Sequence, residues 1–595
     1  MAKDFFRVNL KRLMVSVNKS LQNRLTQYDL TPVECETALL PYFDAETGYM
    51  TVYVCQPEAM MDEMCAGARL RSIKTSANTC KMKVELQKSK DTRITGAVLK
   101  YRSATEDIEI PVKTEVTDRG DSAVVNLSVE FDSSMPLKEV FWDLRLLVEK
   151  YGYTHRSKVV YLHRRLKYKF FFTNCECRVD DEHIIFPYFG KKSVLCFCYR
   201  EKTEYDNMKT RFKEMTAYFL YRFFGAFWRR KKIWIVFEKF CKTAQDNSYY
   251  FFKYCMEKLP EKEKKRIFYV IDKRSPDYEN IKKYQKNVIQ FMSIKHMLYC
   301  LAMNICISSD STSHLYVWRS KPSVIRRAIK KKKEMFLQHG VIALKQVHNI
   351  FGKKSASPMT YFVTSSKEEN AIIVNDFGYK PQNVPITGLC RWDVLEDKSD
   401  PRDRFVLLMP TWRSWLEEVS SQAFIESDYY ENYSKLLTSR KLTDMLEKNN
   451  VKLVFYLHPK FAAYIDEFKD KMSSNVVCVP FGERPLNDLL MRCSMLITDY
   501  SSVCWDVLYQ DKPVLFYQFD YERYDLAHGS YINMETDLMG ERSTEPEELL
   551  KQLEGYINNG FEEKEEYKKR AAEYFTFRDD KNSRRVYEFL KSKGH

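Results

Sequence analysis

Apolar and polar positions follow one rhythm in the first third of the chain and another in the remainder. Up to about residue 205, short runs such as "TGYMTVYVCQ", "ITGAVLKYRS", "SAVVNLSVEFD" and "SKVVYLHRRLKYKFFF" are separated by Gly, Asp, Ser and Asn. Runs rich in Val, Tyr, Phe and Thr with such breaks predict antiparallel strands. Residues 1–205 are therefore expected to form a β-rich, sandwich-like accessory domain with no evident catalytic equipment. Residues 206–232 change period: Phe212, Met215, Phe219 and Phe223 recur every three or four positions, followed by Trp228 and the cations Arg229, Arg230, Lys231 and Lys232. Aromatic rings on one face and cations at the end suit an amphipathic linker helix lying in an anionic membrane surface, too short to cross it.

From Ile233 onward strands and helices alternate. "IWIVFE", "RIFYVID", "VIQF" and "ICISS" mark one series; "RFVLLMP", "VKLVFYLHP", "NVVCVP", "MLITD" and "PVLFYQF" mark a second. Alternation of this kind predicts parallel sheets flanked by helices. Two series in tandem predict two Rossmann-like domains facing one another, at 233–395 and 396–595. Ligands then bind in the crevice beyond the carboxyl ends of the strands.

The residues at those ends form a chemical set: Gln338, His339 and Gly340; Thr411 and Arg413; His458; and Asp499, Ser501 and Ser502, with Lys345 a few residues beyond the first group. Each has a plain structural reading, such as Ser501 or Ser502 capping the helix that begins near Val503. Together they read differently. Hydroxyls and free amides at a helix start hold phosphate, a guanidinium offers forked donors, and two imidazoles supply a base and a neutralising donor near pH 7. That is equipment for a diphosphate ester, without the Gly-rich Lys-Ser/Thr loop of a phosphate-loop nucleotidase or any kinase signature.

Composition adds three points. A formal net charge of +15 favours an anionic partner, and without a recognisable RNA- or DNA-binding motif that partner is not expected to be nucleic acid. The basic, repeatedly interrupted N-terminus resembles no secretory core, and no run is long enough to span a bilayer. The 16 cysteines are scattered among apolar runs and read as reduced, buried residues, which points to the cytosol. Cys175, Cys177, Cys196 and Cys198 alternate in strand-like runs rather than on turns, so hydrophobic filling is expected in place of a zinc site.

"FLQHGVIALK", "GLCRWDVL", "LMPTWRSWL", "LHPKF" and "LITDYSSVCWDVLYQDKPVLFYQFDYERY" stand in the order found in the CDP-glycerol:poly(glycerophosphate) glycerophosphotransferases, the teichoic acid primases and polymerases and their capsule-building relatives. The resemblance covers about residues 233–590. It implies a GT-B arrangement and displacement at the β-phosphorus of CDP-glycerol by a hydroxyl of a lipid-linked polyol-phosphate chain at the inner face of the membrane, releasing CMP. It implies His339 as general base, His458 and Arg413 on the diphosphate, Ser501 and Ser502 on donor phosphate oxygens, Asp499 orienting their turn and Thr411 in the donor site. Lys345 and Gln338 are assigned to the acceptor side. No metal is required by the sequence, although a diphosphate can recruit a divalent cation. Many members have Trp before His-Gly where this chain has Gln338, and CDP-ribitol users share the motifs. Ribitol phosphate transfer, a nucleotide-sugar glycosyltransferase on the same scaffold and a polymer-binding scaffold are the competing readings.

Overall fold

The computed structural model describes residues 6–8, 38–43, 50–55 and, from 68 to 595, all except 89–91, 104–105, 151–152, 161–174, 191–192, 318–322, 356–357, 418, 470–471 and 481–482. Strands β1 (Phe6–Val8), β2 (Ala38–Phe43) and β3 (Met50–Cys55) pair antiparallel in the order β1-β3-β2.

The next seven strands are β4 (Ala68–Ser76), β5 (Thr79–Gln87), β6 (Arg93–Tyr101), β7 (Glu109–Asp118), β8 (Ser122–Glu130), β9 (Val140–Lys150) and β10 (Tyr153–Val160). They run β4-β5-β8-β7-β6-β9-β10, and β10 then pairs in parallel with β4, Val159 opposite Ala68. The accessory region is thus a closed barrel and not the expected sandwich. Alternation is the same in both architectures: Cys80, Met82, Val84 and Leu86 of β5 point inward while the residues between them do not. Closure depends on the long strand β9, whose one edge serves β13 at Val140–Asp143 and β10 at Arg145–Lys150. Swinging β10 onto β4 removes the two open edges that a sandwich would leave. Strands β11 (Cys177–Arg178), β12 (His183–Phe189) and β13 (Leu195–Glu201) extend from the wall at β9. Cys175 and Cys177 join Cys80 in the barrel core, whereas Cys196 lies against Arg102 and Cys198 packs with Ile184 and Phe186.

The expected linker is a helix, Met208–Arg230, with non-helical dihedrals at Phe224. Phe212, Phe219 and Phe223 are 73%, 48% and 77% exposed. Trp228 departs from the expectation: its ring lies 5.8 Å from that of Tyr299 and is half-buried, so it fastens the helix to the following domain. Arg230 is exposed, and Arg229 reaches back to the Tyr221 hydroxyl at 3.3 Å. Among the described residues no helix is long and apolar enough to cross a membrane.

Two parallel sheets follow. The first contains β14 (Trp234–Phe237), β15 (Ile267–Ile271), β16 (Val288–Gln290), β17 (Ile305–Ser308), β18 (Lys333–Phe336) and β19 (Tyr361–Phe362), in the order β16-β15-β14-β17-β18-β19. The second contains β20 (Phe405–Leu408), β21 (Lys452–Phe455), β22 (Val476–Cys478), β23 (Met495–Thr498), β24 (Val514–Tyr517) and β25 (Glu541–Ser543), in the order β22-β21-β20-β23-β24-β25. Both are the doubly wound order, in which the chain adds strands first to one side and then to the other of the first strand of each sheet. Nearly every strand residue is buried, which is why these strands read as continuous apolar runs. The last helix, Asn582–Ser592, returns to the first lobe, where Asp393 accepts from the amides of Asn582 and Ser583 at 2.7 and 2.9 Å. One apolar cluster runs from Trp234 and Phe251 through Trp392 to Trp505 and Tyr574, so the α/β pair shares a core. This is a GT-B-like arrangement.

Candidate active site between the two lobes

In the first lobe, β18 spends its apolar residues in the sheet and then turns sharply. Gln338 takes a left-handed φ of 63°. Its amide donates to Glu369 at 3.1 Å and to the Val363 carbonyl, and its own carbonyl accepts from Asn247 at 2.8 Å. Gln338 is therefore a buried fastener through its Nε2, while its Oε1 has no partner among the described residues and the residue lines the cavity. The turn presents His339 to the cleft with 53% of its side chain exposed. Nδ1 lies 3.0 Å from Asp246, the N-cap of helix Asn247–Lys258, and Nε2 lies 3.3 Å from Asp310, just beyond β17. Burial works against the charged ring, but hydrogen bonds and attraction from Asp246 and Asp310 outweigh it and lift its pKa to about 10. The resting side chain is an imidazolium.

The second lobe reverses this pattern. Arg413, expected on the diphosphate, has no exposed side-chain surface. Its guanidinium lies 2.8 Å from Asp499 and 2.6 Å from Asp520, inside a cage of Tyr429, Tyr500, Phe519 and Tyr524. Two carboxylates and four rings hold it in the core, so it cannot reach a ligand. Asp499 likewise binds no donor: besides Arg413 it accepts from the amides of Thr411 at 2.9 Å and Tyr500 at 2.6 Å, fixing both turns. Thr411 lines the cleft with a buried hydroxyl that has no partner among the described residues.

The groups left open here are neutral donors and cations. His458 Nδ1 accepts from the Lys460 amide at 3.2 Å, which leaves Nε2 carrying hydrogen. Burial, then Lys239, Lys460 and Lys345, push its pKa down to about 4, so it is neutral at pH 7. Burial and the neighbouring Lys460 and Arg413 also lower the Lys345 ammonium. Lys345 and Lys460 both lie over the Trp412 ring, at 5.6 and 3.7 Å. Ser501 accepts from the Val503 amide at 3.4 Å within the turn, whereas the N-cap of the following helix is Val503, with no side-chain cap. The helix behind it, Cys504–Leu508, is one short turn and a half, so its dipole is small.

Three features bring the lobes together. Arg391, buried, donates Nε and Nη2 to Asp506 of the second lobe at 2.7 and 2.8 Å, and Nη1 to Asp246 and the His339 carbonyl at 3.0 and 2.6 Å. Gly340 meets Ser502 so closely that a Cβ would lie 2.4 Å from the serine hydroxyl; only Gly fits. Segment Ala343–His348 is clasped by Gly529–Tyr531, through Gln346 N to Gly529 O at 3.0 Å and Tyr531 N to Ala343 O at 2.9 Å. A cavity of about 260 Å³ results, lined by His339, Lys345, Thr411, His458, Ser501 and Ser502 among others. These six predicted residues converge, with Gln338 at the edge of the same lining; Arg413 and Asp499 do not serve it. Asp246, Asp310, Arg391 and Asp506 were missed, although "QDN" before a helix and "SSD" after a strand carry the signal. Among the described residues no cluster of His, Cys, Asp and Glu is arranged to hold a metal ion.

Comparison with known proteins fits this geometry. Over 390 residues the chain is 28% identical to the minor teichoic acid biosynthesis protein GgaB of Bacillus subtilis (strain 168), covering 63% of this chain but 41% of that protein. It is 25% identical over 269 residues to a teichoic acid glycerol-phosphate primase of the same organism, covering 44% and 64%. It is 29% identical over 191 residues to the ribitol-phosphate polymerase TarL of Staphylococcus aureus, covering 30% and 32%. The chain thus spans less than two thirds of the length of each. A solved structure of the wall teichoic acid polymerase TagF superposes with a TM-score of 0.44 at 16% identity, over 65% of this chain and 98% of that one; the fold assignment rests instead on the two strand orders. The family model described as CDP-Glycerol:Poly(glycerophosphate) glycerophosphotransferase matches residues 220–592, more than half of the 595, and the chain belongs to that family.

Proposed function

We propose that this chain transfers glycerol phosphate, or a related polyol phosphate, from CDP-glycerol to a hydroxyl of a lipid-linked teichoic-acid or capsule-type polymer and releases CMP. The observation that carries this reading is the cavity in which a carboxylate-held imidazole faces Lys345, hydroxyls and a neutral histidine. The second lobe suits the donor diphosphate: His458 Nε2–H, Thr411, Ser501 and Ser502 offer donors to its oxygens, and Lys345, expected on the acceptor side, reaches across from the first lobe to face them. The first lobe suits the acceptor. His339 takes the hydroxyl proton as the oxygen bonds the β-phosphorus, and the bond to CMP breaks with its electron pair leaving on the nucleotide phosphate. Stabilising that leaving charge is the main catalytic contribution, with base catalysis adding about 10²–10⁴-fold. Because the resting ring is charged, activity rises with pH as it loses its proton.

Exposed Phe212, Phe219 and Phe223 on the linker helix support attachment to the cytoplasmic face of the membrane, where such an acceptor resides. Changing all three to Ser should move the protein from membrane pellets to the soluble fraction; unchanged pelleting removes the idea. For the reaction, the purified chain is given CDP-glycerol, CDP-ribitol or sugar nucleotides with a lipid-linked polyol-phosphate acceptor. CMP release from a CDP-polyol is expected. Sugar transfer in its place overturns the reading.

A further inference from the structure

Behind His339 stands a second imidazole that the transfer chemistry leaves unused. Asp310 places one oxygen, Oδ1, between two rings: His339 Nε2 at 3.3 Å and His314 Nδ1 at 3.2 Å. The carboxylate is anchored from below. The Asp310 amide donates to Ser308 Oγ at 2.9 Å, and that hydroxyl donates to the Phe237 carbonyl at 2.8 Å, tying Asp310 to both β17 and β14. His314 lies in the short turn Thr312–Leu315, its ring 4.0 Å from that of Phe240. Its Nδ1 is buried 3.2 Å from Asp310, within ion-pair distance but not aligned as a hydrogen bond, so a small rotation of the ring is needed to complete the contact, and 23% of the side chain remains exposed.

A base set between two carboxylates holds its proton firmly, so repeated use requires an exit. Asp246 serves the other nitrogen and is itself committed to Arg391 and to its helix cap. We propose that Asp310 and His314 form a proton relay behind His339, draining the ring to solvent between transfers. This rests on His339 as the base. The balance is simple: the acceptor O–H proton moves to His339 Nε2, then to Asp310 as His314 Nδ1 takes one from the carboxylate; the doubly protonated His314 loses its Nε2 proton to water, and proton exchange with solvent returns its ring to the starting tautomer. Asp310 and His314 touch no substrate; they are positioning and relay residues. The charged or titratable groups facing the array are Asp246 with the buried Glu238 behind it, Arg391 at the His339 carbonyl, and Cys241, whose thiol donates to the His314 carbonyl at 3.6 Å.

The test compares His314→Gln and Asp310→Asn in the full chain by two readouts. One is the pH profile of CMP release. The other is titration of His339 by nitrogen-15 NMR of histidine-labelled, substrate-free protein, assigned by its loss in His339→Ala. Removing His314 leaves the whole carboxylate charge to His339, so its titration moves alkaline; removing the charge of Asp310 moves it acid, each by roughly half a pH unit or more. His314→Gln should also lower kcat about ten-fold with KM for CDP-glycerol unchanged, and imidazole added to His314→Ala should restore turnover. A His339 titration that stays put, or moves the same way in both variants, overturns the relay whatever the activity. Absence of rescue does so too. Opposite shifts without CMP release from any CDP-polyol uphold the coupling and overturn instead the transfer reading beneath it.

Discussion

The two Rossmann-like lobes share a strand order and both deliver carboxylates to the carboxyl ends of their strands, but they treat those carboxylates in opposite ways. In the second lobe Asp499 and Asp520 are consumed by the buried Arg413, and what faces the cleft is a neutral histidine and hydroxyls. In the first lobe Asp246 and the buried Asp310 stand behind the cleft and are answered by His339, which lines it. One lobe has cancelled its negative charge internally and can receive an anion. The other holds it directly behind the cleft, where it orients and charges a ring. Chemistry is thus divided between two copies of one scaffold by where each carboxylate finds its counter-charge.

His339→Ala should strike hardest and on one side only: kcat falls about 10²–10⁴-fold while the Kd of CDP-glycerol, measured by calorimetry, stays near its parent value. Equal loss of binding would dissolve the division between lobes. Arg413→Ala should act through stability, leaving Asp499 and Asp520 buried without a cation at a cost of about 3–5 kcal/mol, visible in urea unfolding. A stable variant with only a weaker Kd would return Arg413 to the donor site. Gly340→Ala should force Ser502 away and strain the junction by about 1–3 kcal/mol, lowering kcat and donor affinity together because the lobes move apart.

His458→Gln should weaken CDP-glycerol about ten-fold, near the roughly 1.5 kcal/mol of a charge-assisted hydrogen bond. Stability against pH sharpens the same contrast. The His339 pKa is raised, so its contribution is complete below the ordinary value of 6.5 and is lost as pH rises through about 10. The His458 pKa is lowered, so its contribution is lost as pH falls from 6.5 through about 4. Unfolding measured across that span should show His339→Ala flattening the alkaline arm and His458→Gln the acid arm. One variant altering both arms would contradict the separation.

What the sequence determined by itself was local. Continuous apolar runs spaced by helical stretches specified two parallel sheets, and residues directly after those runs had to lie at the strand ends, which is why His339, His458, Thr411, Ser501 and Ser502 were legible as one cleft. The tertiary structure decided everything that hangs on distant partners. Arg413 faces the core because Asp520, 107 positions away, meets it there. The accessory strands close into a barrel because Val159 finds Ala68. Trp228 packs inward because Tyr299 waits beneath it. Alternation and spacing record which way a side chain points along its own element; they do not record which opposite charge, edge or ring it will meet, and that meeting fixes whether a polar group serves the fold or the substrate.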